Sequence, residues 1–121
     1  MRYFLAVAGI LLSCTSASAE NQEAVVIGIG GNPCSVILKN YQEGPKAMSY
    51  LIMSYVQGFW TGQNSMFMQA RAPIVKNLAG DDEKQLKALM AECRRRPSEH
   101  FGIIIRDYFF ELPGVSMPAA K

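Results

Sequence analysis

Histidine is almost missing from this chain: His100 is the single one among 121 residues. That count argues against an imidazole-built metal centre, which needs several nitrogen or sulfur ligands together. A Ser-His-Asp constellation would have to rest on His100 alone, and no serine sits in a G-x-S-x-G elbow. Cysteine is scarce as well, with three residues and no C-x-x-C pair to mark a redox or metal site. Charge of one sign is lacking, since the net value of +2 is too small to imply nucleic acid. The basic residues are dispersed apart from Arg94, Arg95 and Arg96, a run that a solvated helix C-terminus explains through the helix dipole. There is no apolar run long enough to span a bilayer, no internal repeat and no low-complexity stretch. The Gly28-x-Gly30-Gly31 cluster has no third glycine and opens no βαβ unit, so it reads as a flexible turn rather than a dinucleotide fingerprint. No catalytic residue, cofactor or metal is expected.

What is present is an export signature and a helical chain. Arg2, an apolar stretch from Phe4 to Leu12 and Ala17-Ser18-Ala19 have the order of a cleavable signal peptide. Cleavage after Ala19 is expected, with a periplasmic or secreted product. A competing reading takes Leu11-Leu12-Ser13-Cys14 as a lipobox with Cys14 lipidated, although Leu12 fits that motif poorly. Once Cys14 has left, Cys34 and Cys93 remain as an even pair in an oxidising compartment, and a disulfide is the natural reading. Such a bond would close a loop of about 60 residues, worth roughly 4 kcal/mol on the chain-entropy account.

The mature chain divides into an arm over 20–31, a helical domain over 32–112 and a flexible tail over 113–121. In the arm, Ala24 to Ile29 has strand character but no second convincing strand to pair with, so an extended arm lying on the helices is expected. Asn32-Pro33 reads as N-cap and first position of helix one, with Cys34, Ile37, Leu38 and Tyr41 on its buried face. Gly44 ends that helix and Pro45 opens a second, the longest in the chain, which runs to about Ala70. Ile74 to Gly80 reads as a connecting loop. Asp81 and Asp82 cap helix three, whose apolar face carries Leu86, Leu89, Met90 and Cys93, with Glu83 and Lys87 spaced for an ion pair. Pro97 ends it and Ser98 caps helix four. There Phe101, Ile104, Ile105, Tyr108, Phe109 and Leu112 share one face, the cleanest periodicity in the chain. The expected fold is all-α: a small four-helix domain stapled by Cys34–Cys93.

Helix two carries an apolar stripe of Met48, Ile52, Val56, Phe59 and Met66/Phe67. Beside it runs Leu51, Tyr55, Gly58, Gly62 and Ser65. Two glycines four apart cost helix stability, and their reward would be another helix backbone close by. Leucine at Gly58 or Gly62 is therefore expected to harm folding more than Thr61→Leu. Trp60 and Tyr50 lie off the main stripe and are expected to leave aromatic surface accessible. The methionines Met48, Met53, Met66 and Met68 read as core filler, with an adaptable binding surface as the alternative. Ile103 and Phe110 fall off the helix-four stripe, seven apart on one line. They read either as the edge of a wide core face or as a contact for a partner or second subunit.

These residues carry a resemblance. G-x-G-x-x-P-C, then Y-V-Q-G-F-W-T-G-Q-N, then E-C-R-R-R-P-S-E-H-F resembles a group of small exported bacterial proteins. Their pattern falls here on Cys34, Tyr55, Gly58, Gly62, Asn64, Cys93 and Pro97, over about residues 28–112. In size, helix content and single disulfide the chain is similar to HdeA-type acid-stress chaperones. Its double-glycine helix and proline-started last helix are also similar to Tai-like immunity proteins, which neutralise type VI secretion amidases. The resemblance implies a non-enzymatic periplasmic protein: an acid-stress chaperone or binding protein in the first case, an inhibitor of a secreted amidase in the second. Either implies a protein client or partner, with a homodimer also open, and neither implies nucleic acid or a membrane span.

Overall fold

The structure, a computed structural model, describes residues 28–117. The signal peptide, its cleavage site, Cys14, most of the N-terminal arm and the last four residues lie outside the described part. A turn of 3-10 helix, Gly28–Gly31, leads into α1 (Cys34–Glu43), α2 (Pro45–Gln69), β1 (Ile74–Lys76), α3 (Asp82–Arg95), α4 (Phe101–Glu111) and β2 (Gly114–Ser116). No helix of the described residues is long and apolar enough to cross a membrane.

The core joins one face from each helix. Cys34 and Ile37 come from α1; Ile52, Val56 and Trp60 from α2; Leu89, Met90 and Cys93 from α3; Phe101, Ile104, Ile105 and Phe109 from α4. Three of these faces are the ones the periodicity marks. That of α2 is rotated from the expected stripe towards Met53, Trp60 and Asn64, while Met48, Phe59 and Phe67 are only half-buried and Met66 is exposed. Trp60 is the reason. It is fully buried, its Nε1–H donates to the Ile105 carbonyl at 3.0 Å, and its ring stacks on Tyr108 with centroids 5.6 Å apart. An indole goes inside when its one donor finds an acceptor, so the expected accessible surface at Trp60 is not there.

Cys34 and Cys93 are disulfide-bonded, fully buried and 59 residues apart in sequence, tying the start of α1 to the end of α3. Around that bond two helix N-termini are capped by backbone rather than by side chains. Cys34 N–H donates to Glu99 O at 2.8 Å and Ser35 N–H to Pro97 O at 2.9 Å, while Phe101 N–H returns a bond to Asn32 O at 2.9 Å. These carbonyls take the donors that every helix start leaves orphaned. Neither Asn32 nor Ser98 is therefore a cap: the flanking residues are Pro33 and His100, and neither makes a side-chain cap bond. In α3 the expected cap is Asp81 alone, whose carboxylate accepts from Glu83 and Lys84 N–H, while Asp82 is the first residue of the helix.

The tail is a second correction. Residues 114–116 pair antiparallel with 74–76 in the register Ile74↔Ser116, Val75↔Val115, Lys76↔Gly114. Asn77 N–H to Pro113 O at 2.7 Å and Met117 N–H to Pro73 O at 2.9 Å extend the ribbon at both ends. The stretch expected to be a flexible tail is held to Met117, and the loop after α2 supplies its partner strand. The ribbon is pinned to the helices by two polar side chains. Asn64 donates to Lys76 O at 2.8 Å and accepts from Lys76 N–H at 2.9 Å, standing in for a neighbouring strand. The Lys76 ammonium donates to Phe110 O at 2.6 Å and Leu112 O at 2.8 Å, the carbonyls left open at the C-terminal end of α4.

Candidate functional site

Two features of the surface stand apart from an ordinary polar exterior, one at each end of α2. The first is apolar. Past the middle of α2 the large apolar side chains in solvent are Met66 and Met68; Ile74 and Val115 of the ribbon, Met117 beyond it and Phe110 at the end of α4 are exposed at the same end, with Ile74 on the ribbon face opposite Val115 and Met117. Met66 is 62%, Phe110 55% and Ile74 54% exposed. The elements that carry them are fastened together. Phe67 packs against Phe109 with ring centroids 5.9 Å apart, Phe110 lies edge-on to Phe109 at 5.6 Å, and Asn64 and Lys76 hold the ribbon between the two helix ends. Met66, Met68 and Met117 are adaptable side chains on this fixed support, distributed around the end rather than set on one face.

The second feature is a groove of about 490 Å³ between the first half of α2, the end of α1 and the start of α3. Met53 and Leu86 lie on its apolar side, Tyr41 and Tyr50 supply rings and hydroxyls, and Asp82 and Glu83 supply carboxylates. Gln57 Nε2 donates to Asp82 Oδ1 at 2.9 Å across one margin.

The residues singled out in the sequence divide between structural and surface positions. Cys34 and Cys93 form the disulfide. Asn64 is buried and pins β1. Tyr55 is half-buried and lies over the 3-10 turn, where a Cβ on Gly30 would collide with its hydroxyl. Gly58 and Gly62 do not form a helix-packing slot. Both are exposed, and a Cβ at either position would meet nothing within 4 Å. The reason is the same rotation of α2 around Trp60, which turns the glycine line away from α3 and α4. Ile103 and Phe110 are not exposed together either: Phe110 is open, while Ile103 is half-buried. Only Phe110 belongs to the apolar end.

In the sequence Met66 and Met68 read as core filler, with a binding surface as the alternative, and Ile74, Val115 and Met117 fell in segments taken as loop and tail. The available signal was β-branched residues just after Pro73 and Pro113, a strand mark too short to stand out.

Arg96, Asp107 and Arg106 form one linked set of ionised groups. Arg96 Nη1 donates to Asp107 Oδ2 at 2.9 Å, from the end of α3 to α4, and Arg106 Nη2 donates to Asp107 Oδ1 at 2.7 Å. These hydrogen bonds, that from Arg106 first and then that from Arg96, hold the Asp107 carboxyl below its ordinary range against the opposing effect of burial. The Arg96 guanidinium is pushed up, chiefly by its hydrogen bond to Asp107. Among the described residues no three His, Cys, Asp or Glu side chains come together in a group that could hold a metal ion. His100 is exposed at the start of α4.

Comparison with protein-family models, curated proteins and solved structures returns no match to this chain.

Proposed function

We propose that this chain is a non-enzymatic protein-binding domain, exported to the periplasm, that acts as an acid-stress chaperone of the HdeA-like kind. The observation that carries the reading is the apolar end, where Met66, Met68, Ile74, Phe110, Val115 and Met117 stay exposed on a pinned support. Exposed apolar side chains gathered in one region mark contact with other proteins more often than chance exposure does. Acid enters through charge. After cleavage at Ala19 removes Arg2, ten carboxylates would be neutralised and eleven of the twelve Lys and Arg retained, so the chain becomes strongly positive and the Arg96–Asp107 tie between α3 and α4 is lost. A loosened, charged domain with an apolar end could hold an unfolding client in solution.

The alternative is an immunity protein that blocks a secreted amidase. It is favoured by one fact: the apolar end is already open in the folded domain, with no acid needed to uncover it.

The test is light scattering from an acid-sensitive client enzyme at a pH of about 2–3, where the carboxylates are neutral. The wild-type protein is expected to suppress aggregation, and the Met66→Ser, Phe110→Ser double variant to suppress it much less at unchanged thermal stability. No suppression by wild type removes the chaperone reading. Tight binding of an amidase at neutral pH through the same residues would favour the immunity reading.

A further inference from the structure

We propose that the groove between α1, α2 and α3 binds a short extended peptide segment that carries a basic side chain at one end and an acidic one at the other. This site is separate from the apolar end, and the proposal does not depend on the chaperone reading.

The volume, about 490 Å³, is in the range of small-ligand sites. Its chemistry is mixed in a specific order along α3. At the start of the helix Asp82 and Glu83 face the groove beside the rings of Tyr41 and Tyr50. A second depression of about 270 Å³ continues from it, sharing Tyr41, Glu83 and Leu86 and ending at Lys87, Met90 and Arg94. The shared residues make the two one trough: carboxylates and aromatic rings at one end, Leu86, Lys87 and Met90 along the middle, and Arg94 at the other end.

The charges in the trough are not spent on each other. Glu83 and Lys87 have the spacing of a helical ion pair, yet among the described residues the ion pairs within 4 Å are Arg95–Glu92, Arg96–Asp107 and Arg106–Asp107. Glu83, Lys87 and Arg94 are left for an outside partner. Tyr50 is the largest side chain there to stand in solvent, 80% exposed beside the carboxylates. An ammonium or guanidinium placed against such rings gains both cation–π and carboxylate contacts. Leu86 and Met90 then accept apolar side chains, and Lys87 and Arg94 accept a carboxylate.

Length sets the ligand's size. Glu83 and Arg94 are eleven residues apart on one helix, about 16 Å at 1.5 Å per residue. An extended chain rises roughly 3.3 Å per residue, so about five residues span the charged ends.

The probe is the blocked pentapeptide acetyl-Lys-Leu-Ala-Leu-Glu-amide, titrated into the nitrogen-15-labelled protein and followed by amide chemical shifts. Saturable shifts at Tyr41, Tyr50, Glu83, Lys87 and Arg94 are expected. Affinity should fall about tenfold when glutamine replaces both charged ends of the peptide, and several-fold in roughly 0.5 M salt. Tyr50→Ala and Glu83→Gln change exposed side chains, so both variants should fold, and each should weaken binding about fivefold. Three outcomes overturn the proposal: no shifts at millimolar peptide, equal binding of the charged and uncharged peptides, or shifts confined to residues 66–76 and 110–117. The last would locate peptide binding at the apolar end and leave the chaperone reading standing without the groove.

Discussion

Gly58 and Gly62 are exposed on α2 with open space where a Cβ would go. Neither position asks for glycine by packing, so each is a helix-interior glycine with only its entropic cost. Gly58→Ala is expected to raise stability by about 1 kcal/mol, and Gly62→Ala by a similar amount, measured by urea denaturation. Leucine at either position should be tolerated as well as Thr61→Leu, the reverse of what the sequence spacing implies. Asn64, the last residue of the same motif, behaves in the opposite way. Its carboxamide makes both an accepting and a donating bond to the Lys76 backbone in a nearly closed site. Asn64→Ala would leave two peptide groups without partners and cost about 2–3 kcal/mol. Hydrogen exchange should show faster exchange at Lys76 and along the ribbon. An unchanged ribbon in that variant would mean that Lys76 and the strand pairing suffice.

At the level of elements, the helices were legible because their signals are local. Pro45 opens α2, Asp81 caps α3, and the repeated apolar positions of α4 bury the side chains they mark. The Cys34–Cys93 link was legible from compartment and count, together with the buried faces on which both residues fall. The ribbon was not legible, since its two strands are three residues each and α3 and α4 intervene between them. Strand pairing at that separation leaves no local mark, and Asn64 and Lys76 complete it from elsewhere. The exact face of α2 escaped for a related reason: the burial of Trp60 is decided by a carbonyl on α4 that its own helix does not announce. Hence the apolar end, built from the ribbon and the rotated end of α2, was seen in advance at Phe110 and, as an alternative to core filler, at Met66 and Met68, but not in the ribbon.

The disulfide gives this scale its prediction. Closing a loop of about 60 residues should contribute roughly 4 kcal/mol. The Cys34→Ala, Cys93→Ala double variant should lose about that much, together with some packing. Thiol titration of the denatured, unreduced protein should find no free thiol from this pair.

For the molecule as a whole, pH is the variable that links stability to the proposed role. The Asp107 carboxyl, ordinarily near 3.8, is lowered in the folded state by Arg106 and Arg96. The unfolded chain therefore takes up a proton there before the folded one does. The stabilisation is complete above the ordinary value and is lost as pH falls below about 4 and through the lowered one. Partial exposure of all three side chains keeps this contribution modest. Asp107→Asn should lower the melting temperature at neutral pH and reduce its further fall on acidification. A melting curve series between pH 7 and 2 reads both effects, and an acid limb as steep as wild type would place the acid sensitivity in other carboxylates.

On the proposed function, the apolar end is the surface that meets other proteins. Hydrogen-exchange footprinting of the protein with and without an acid-unfolded client, at matched low pH, tests it most directly. New protection is expected at residues 66–76 and 110–117, with little change along α1. Protection spread evenly over the domain, or absent from both of those segments, would contradict it.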